Sequence, residues 1–323
     1  MNKYNRKIYI KRSLYLLYLF FVGSTILIPL LFGSKYNMDV AAYINRLPQL
    51  NDQSLTYNIL NNTLSLVILH KILFFLSPTV ILYLVYIFSV IFLSYILLKY
   101  LNVNYVLTIF FICFFSLYLN QSRETISICF GVLAWKNIHK KPLVWILYLL
   151  LSAFFHLFAF FYICLFIMSF FFKVISLQIK LTLVFFVIFF LFVLFFYFPR
   201  YTYYLKFQNY ISFLFVLLGI YILIIWNSIK TIELKIFFFF FFFLAAFSSN
   251  LPDISSRIAE ISIVLLFFSS SYSRKNIEEE KNYNINLQVL IIAFVMFVYR
   301  LSVLLFFNQD RIQLQDYLYN LFL

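Results

Sequence analysis

Apolar residues in this chain come in long unbroken runs, neither alternating with polar ones nor confined to one stripe of a helix. Runs near Leu14–Phe32, Val80–Leu98, Tyr105–Leu119, Thr125–Trp135, Leu143–Phe172, Leu181–Phe198, Ile211–Trp226, Ile236–Phe247, Ile258–Tyr272 and Leu287–Phe307 each predict a helix that is apolar on all sides. Unbroken runs exclude the alternating strands of a membrane barrel. The expected fold is therefore all-α, a polytopic integral membrane protein of about ten or eleven transmembrane helices. A weaker run, Tyr57–Leu76, is interrupted by Asn61, Asn62, His70 and Lys71. It reads as an interfacial or re-entrant helix, so residues 33–78 form an outer loop plus that helix. No stretch is long enough for a separate soluble domain. Residues 1–323 read as one transmembrane domain, with 308–323 a short C-terminal tail.

The basic residues suggest which side is which. Lys3, Arg6, Lys7, Lys11 and Arg12 precede the first run with no small-residue cleavage site after it, which predicts a retained anchor with a cytoplasmic N-terminus. Leu143–Phe172 decides the rest. Thirty residues of helix measure ~45 Å against a hydrocarbon core of ~30 Å. Splitting the run at His156, its polar interruption, gives two short spans with His156 at an outer turn; one tilted helix is the alternative. With the split, most of the 25 Lys and Arg fall on the inner side and the C-terminus lies outside. The acidic run Glu278–Glu280 is then a solvated cytoplasmic loop.

Composition narrows the class. The 323 residues are 65% hydrophobic and only 11% charged, far below the ~25% that keeps a soluble surface wetted. Soluble enzymes, disulfide-framed domains and disordered chains are excluded. The formal charge of +14 would suggest nucleic acid in a soluble protein, but here it reports topology, and no nucleic-acid partner is expected. Cys113, Cys129 and Cys164 sit inside apolar runs without metal-ligand or redox spacing, so they read as small buried hydrophobes. The run Phe237–Phe243 reads as lipid-facing filler.

Four polar elements fall on the expected outer side. Asn120-Gln121-Ser122-Arg123-Glu124 and Pro252-Asp253-Ile254-Ser255-Ser256-Arg257 both open a helix, and Ser-Arg-Glu-Thr-Ile-Ser-Ile echoes Ser-Arg-Ile-Ala-Glu-Ile-Ser-Ile. In each, Ser reads as the N-cap and Arg as the first turn. Arg123 and Arg257 would add to the positive end of the helix dipole and so favour an anion such as phosphate or pyrophosphate. A lone arginine there is more often a snorkelling interfacial residue; the pair raises the case for function. Glu260 stands three residues after Arg257, within pairing reach. His156, flanked by Phe154, Phe155 and Phe158, fits either a hydrogen-bonded core residue or a general base. Asp39, in Tyr36-Asn37-Met38-Asp39-Val40-Ala41-Ala42-Tyr43, is the other candidate base, with a solvated loop carboxylate as the alternative. Arg200, Tyr203 and Lys206 lie in a basic, tyrosine-rich outer loop that suits sugar faces or an interfacial aromatic belt. Neither a phosphate-binding glycine loop nor a metal-ligand cluster is present, so no cofactor and no metal is expected.

Arg123-Glu124-Thr125-Ile126-Ser127, the basic turn Asn137-Ile138-His139-Lys140-Lys141 and the apolar segment carrying Phe155-His156 follow one another in order, after an Asp…Tyr first loop and before a late outer Arg helix. This arrangement resembles the EpsG/Wzy-type polysaccharide polymerases, most sharply over Gln121–Phe161. Thr125 and Ser127 stand where the family's usual pattern has Ala. The resemblance implies a glycosyltransferase that joins undecaprenyl-pyrophosphate-linked oligosaccharides, as donor and acceptor, on the outer face of a bacterial inner membrane. It implies further that Arg123 and Arg257 hold the departing pyrophosphate, that His156 or Asp39 takes the acceptor proton, and that Arg200, Tyr203 and Lys206 contact glycan or lipid. Its partners would be the lipid bilayer, the lipid-linked sugars and a chain-length regulator. A flippase or transporter of lipid-linked sugars, or another membrane glycosyl- or acyltransferase, is the alternative.

Overall fold

The computed structural model describes residues 3–32, 38–60, 63–119, 121–138, 142–156, 159–160, 163–164, 166–167, 214–226, 229, 232–247, 252–272 and 287–298. The expected span Leu181–Phe198, the loop with Arg200, Tyr203 and Lys206, the acidic run Glu278–Glu280 and the tail lie outside them. Among the described residues the fold is all-helical, without strands. Two compact units divide the chain: Met1–Asn58, Thr63–Cys129 and Glu278–Leu323 in one, and Ile59–Asn62 and Phe130–Ile277 in the other.

The first unit is built on α1 (Lys3–Phe32) and α6 (Pro78–Tyr100). Their stretches Arg12–Leu31 and Pro78–Tyr100 are long and apolar enough to cross a membrane, with mean hydropathies of 2.2 and 2.5. The two run antiparallel, as three hydroxyl contacts show. Tyr83 Oη donates to Pro29 O at 3.1 Å, Tyr86 Oη to Thr25 O at 2.6 Å, and Tyr18 Oη to Ser94 Oγ at 2.9 Å. Residues 33–77 therefore begin and end at the same end of this pair. Ser94 Oγ passes its own proton to Val90 O, and Tyr18 has given its proton to Ser94. The 3.0 Å contact between Tyr18 Oη and Tyr118 Oη is then donated by Tyr118. A relay of hydroxyls thus runs Tyr118 to Tyr18 to Ser94 to the α6 backbone, buried throughout.

The polarity of these helices is inverted relative to a water-soluble bundle. α6 buries Ser89 and Ser94 while exposing Val80, Leu84, Phe88, Ile91 and Tyr95, a stripe at helical spacing. α1 likewise buries Tyr18 and Thr25 but exposes Leu16, Phe20, Leu27 and Leu31. Polar groups find partners inside; the outer face is apolar.

The polar stretch expected as a loop, Gly33–Thr56, contains two short helices, α2 (Met38–Tyr43) and α3 (Leu47–Leu50). Val40, Tyr43, Leu47 and Leu50 recur at spacings of three and four and are all buried. A short helical pattern was hidden there by the polar residues between. The run Tyr57–Leu76 divides into α4 (Leu55–Leu60) and α5 (Leu64–Ile72). Within α4, buried Asn58 Nδ2 donates to Leu50 O, Gln53 O and Ser54 O, and at the start of α5 Thr63 Oγ1 donates to Asn58 Oδ1 at 2.8 Å. Beyond α6, Asn102 caps α7 (Val103–Cys113) by accepting from Tyr105 N at 3.0 Å. The helix then widens into a π turn over Phe114–Tyr118. Phe111 packs on Phe294 and Phe297 of the helix Leu287–Val298.

α8 (Ser122–Asn137) passes from the first unit into the second. In the second unit α9 (Pro142–Phe155) follows it closely, and Phe130 stacks on both Tyr148 and Phe155. Helical backbone ends at Phe155, His156 is not helical, and Ala159 and Phe160 are helical again. Downstream, Ile163 meets Gly131 and Phe166 meets Trp135, so this segment runs in the same direction as α8. A chain that kept rising beyond α9 would not come back level with Gly131. It reverses near His156, as the split of Leu143–Phe172 anticipated.

Among the described residues the second unit also contains α10 (Leu214–Ile225), α11 (Ile232–Phe247) and α12 (Pro252–Tyr272). α12 packs on both others and is buried at every residue from Ile258 to Ser270. The phenylalanine run on α11 is not mere lipid-facing filler. Phe237, Phe238 and Phe241 are buried and only Phe239 and Phe243 are exposed, because seven successive residues must turn through almost two full helical turns. Phe242 lies so close to Gly219 that a Cβ there would stand 2.7 Å from its ring.

Candidate functional site

Among the described residues, several buried polar side chains gather around Arg123. Gln121 O accepts from Thr125 N at 2.9 Å, so Gln121 caps α8 and Ser122 is its first residue, one place earlier than the sequence pattern suggested. Thr125 Oγ1 donates to Leu117 O at 2.7 Å, tying the first turn of α8 to the π turn before it. Ser122, Arg123, Glu124, Thr125 and Ser127 are all buried. Arg123 is 5% exposed, which removes the snorkelling explanation for it.

Tyr43 of α2 meets this arginine in two ways. Arg123 Nη2 donates to Tyr43 Oη at 2.8 Å, and the guanidinium carbon lies 4.5 Å from the centre of the same ring. Beside them is a recess of a size for about one water molecule, lined by Val40, Leu66, Leu82, Val85, Ser122 and Arg123. Leu82 and Val85 lie one to two turns from the start of α6, so this place is near the end of the α1–α6 pair that carries residues 33–77. Asp39 lies on α2, one turn before Tyr43. The structure thus joins two of the four polar elements, through a tyrosine that carried no separate role in the sequence. The only local sign of it was its place in the Asp…Tyr loop.

Arg257 differs from Arg123 despite the repeated motif. α12 starts at Pro252, whose fixed φ and missing N–H suit the first helical position. Ser255, Ser256 and Arg257 are consequently inside the helix and do not cap it. Ser255 Oγ donates to Ala245 O at 2.7 Å, and Arg257, half-buried, sits in the second turn where the terminal dipole has faded. Glu260, one turn on, is buried.

His156 stands at the reversal after α9. Its backbone N–H bonds Ser152 O at 3.0 Å, its carbonyl accepts from Phe160 N at 3.1 Å, and its Nδ1 accepts from Ala159 N at 3.3 Å. That last contact is an N-cap made by an imidazole. With Nδ1 receiving a proton donor, the neutral ring carries its own proton on Nε2 and presents a donor there. Acting as a base would require the ring to give up its cap.

Among the described residues no three of His, Cys, Asp and Glu gather as a metal site would require. Comparison with protein-family models, curated proteins and solved structures returns no match to this chain.

Proposed function

We propose that this chain is a polytopic membrane protein that polymerises undecaprenyl-pyrophosphate-linked oligosaccharide repeat units into a surface polysaccharide. Membrane residence is supported by the inverted polarity of α1 and α6. A water-soluble protein rarely leaves so continuous an apolar stripe uncovered, and a bilayer favours it. The polymerase reading rests on the resemblance over Gln121–Phe161. The observation that carries it furthest is the contact of buried Arg123 with Tyr43, which links the start of α8 to the Asp39-bearing helix of the first outer loop.

In the proposed reaction the acceptor hydroxyl oxygen bonds to the anomeric carbon of the donor glycan. The bond from that carbon to the pyrophosphate oxygen breaks, and undecaprenyl pyrophosphate leaves with the electron pair. Arg123 and Arg257 would offset its developing charge. Asp39 is the better of the two candidate bases, since His156 Nδ1 already holds the Ala159 N–H. His156 would instead donate from Nε2. The loop of Arg200, Tyr203 and Lys206 would contact glycan or lipid on the outer face of a bacterial inner membrane, where the positive-inside pattern directs the site.

A deletion strain examined on a polysaccharide gel tests this. A polymerase defect leaves glycan one repeat unit long. The ladder should return with the wild-type gene and not with Arg123→Ala or Arg257→Ala. Complete loss of surface glycan would favour a flippase, and a normal ladder would defeat both readings.

A further inference from the structure

We propose that Tyr43 is a positioning residue that keeps, on Arg123, the place a phosphate-type anion takes when it binds. The inference rests on reading Arg123 as an anion-holding residue and adds how that residue is held beforehand.

A guanidinium offers five N–H donors and a positive face, and in a site that excludes water both need an answer. Tyr43 answers one of the donors and the face from a single side chain, its oxygen 2.8 Å from Nη2 and its ring centre 4.5 Å from the guanidinium carbon. The choice of a phenol matters. A carboxylate on Nη2 would compete with a phosphate on equal terms, whereas a neutral oxygen is the weaker acceptor and yields to a charge-assisted bond. Space points the same way. The recess beside Ser122 and Arg123 takes about one water, far less than a phosphate, and α2 contributes one of its walls through Val40. Room for an anion at Nη2 therefore comes from moving the phenol aside. α2 suits that movement, being six residues long and followed directly by turn backbone at Ile44–Arg46. Tyr43 thus orients the guanidinium while the site is empty and gives way when it fills.

The test is chemical modification of the purified full-length chain by phenylglyoxal, with and without inorganic pyrophosphate, read at Arg123 by peptide mass spectrometry. Wild type, Tyr43→Phe and Tyr43→Ala are compared, with exposed Arg12 and Arg46 as internal references. Arg123 should react slowly in the wild type and about tenfold faster in Tyr43→Phe, the equivalent of one lost bond to a charged group. Tyr43→Ala should react faster still. The discriminating reading is protection: the pyrophosphate concentration that half-protects Arg123 should fall in Tyr43→Phe, because a competitor has gone. A merely structural tyrosine would leave it unchanged or raise it. Tyr43→Phe alone decides the matter if the alanine variant does not fold. Equal reactivity in wild type and Tyr43→Phe, or undiminished protection concentrations, would overturn the role of Tyr43. Faster reaction with no protection at any concentration would overturn the anion itself, and the polymerase reading with it.

Discussion

Replacing Gly131 by alanine tests the reversal at His156 without any assumption about activity. A Cβ at Gly131 would stand 2.6 Å from Ile163 Cγ1 and 2.7 Å from Cγ2, and would overlap Cδ1 as well. Two of these atoms are bonded directly to the Ile163 Cβ, so rotating the end of the side chain gives no relief and one backbone must shift. Overpacking of this kind costs up to ~3 kcal/mol. Alanine also removes glycine's helix penalty, a gain of ~1 kcal/mol. The expected net loss is ~2 kcal/mol. In an Ile163→Ala background the overlap is gone and only the gain is left, so the same substitution should stabilise by ~1 kcal/mol. The coupling between the two positions is therefore ~3 kcal/mol, at the upper end for residues in contact. Ile163→Val, which keeps Cγ1 and Cγ2, should rescue little. The four proteins of this cycle, purified in one detergent, can be compared by reversible unfolding in increasing sodium dodecyl sulfate. A Gly131→Ala protein as stable as wild type in the Ile163 background would mean that the segment after His156 does not return along α8.

Other consequences follow from named contacts. In the hydroxyl relay, Tyr118→Phe removes the outermost donor and should cost ~1 kcal/mol, while Tyr18→Phe strands the groups on both sides of it and should cost ~2–3 kcal/mol by the same unfolding assay. His156→Asn should retain the cap on Ala159 and near-native stability, whereas His156→Ala should lose ~1 kcal/mol. If the Nε2 donor serves the reaction, neither variant should rebuild the glycan ladder. On intact cells an impermeant thiol reagent should label cysteines placed at the exposed positions Ser54 and Ser77 alike, and Asn102→Cys only after permeabilisation, because α6 separates the two ends. Labelling of all three from one side would contradict a membrane-spanning α6.

Helix positions were readable because apolar runs this long admit few other conformations. Val80–Leu98 became Pro78–Tyr100, and the added residues reflect local signals, with Ser77 accepting from Val80 N and Pro78 at the first position. His156 was readable as a break because a polar residue midway along an overlong run has to find a partner, and a reversal supplies free backbone N–H groups for it. Less could be read where two levels of pattern overlapped. α2 and α3 are too short to dominate any window, and their buried Val40, Tyr43, Leu47 and Leu50 are diluted by Asn45, Arg46 and Gln49. The repeated Ser-Arg motif misled for a related reason. Its two copies share side chains but not register, since Pro252 starts α12 three residues before Ser255, while Gln121 caps α8 immediately before Ser122.

The site shows where a sequence stops being informative and why. Locally, Arg123 fits a snorkelling interfacial residue as well as an anion-holding one; the structure buries it, and a buried guanidinium must be answered. One answer comes from Tyr43, 80 positions away, on a helix too short to predict. Nothing in the spacing of either segment selects it over Tyr36 or the other tyrosines of this tyrosine-rich chain. What selects it is three-dimensional: Val40 and Tyr43 are both buried as α2 packs on α6, and α6 carries Leu82 and Val85 to the wall beside Arg123. Both the requirement for a partner and its identity are thus set in three dimensions. A buried arginine at a helix start is better searched against short polar loops at the same end of the neighbouring helices than against acidic residues near it in the chain.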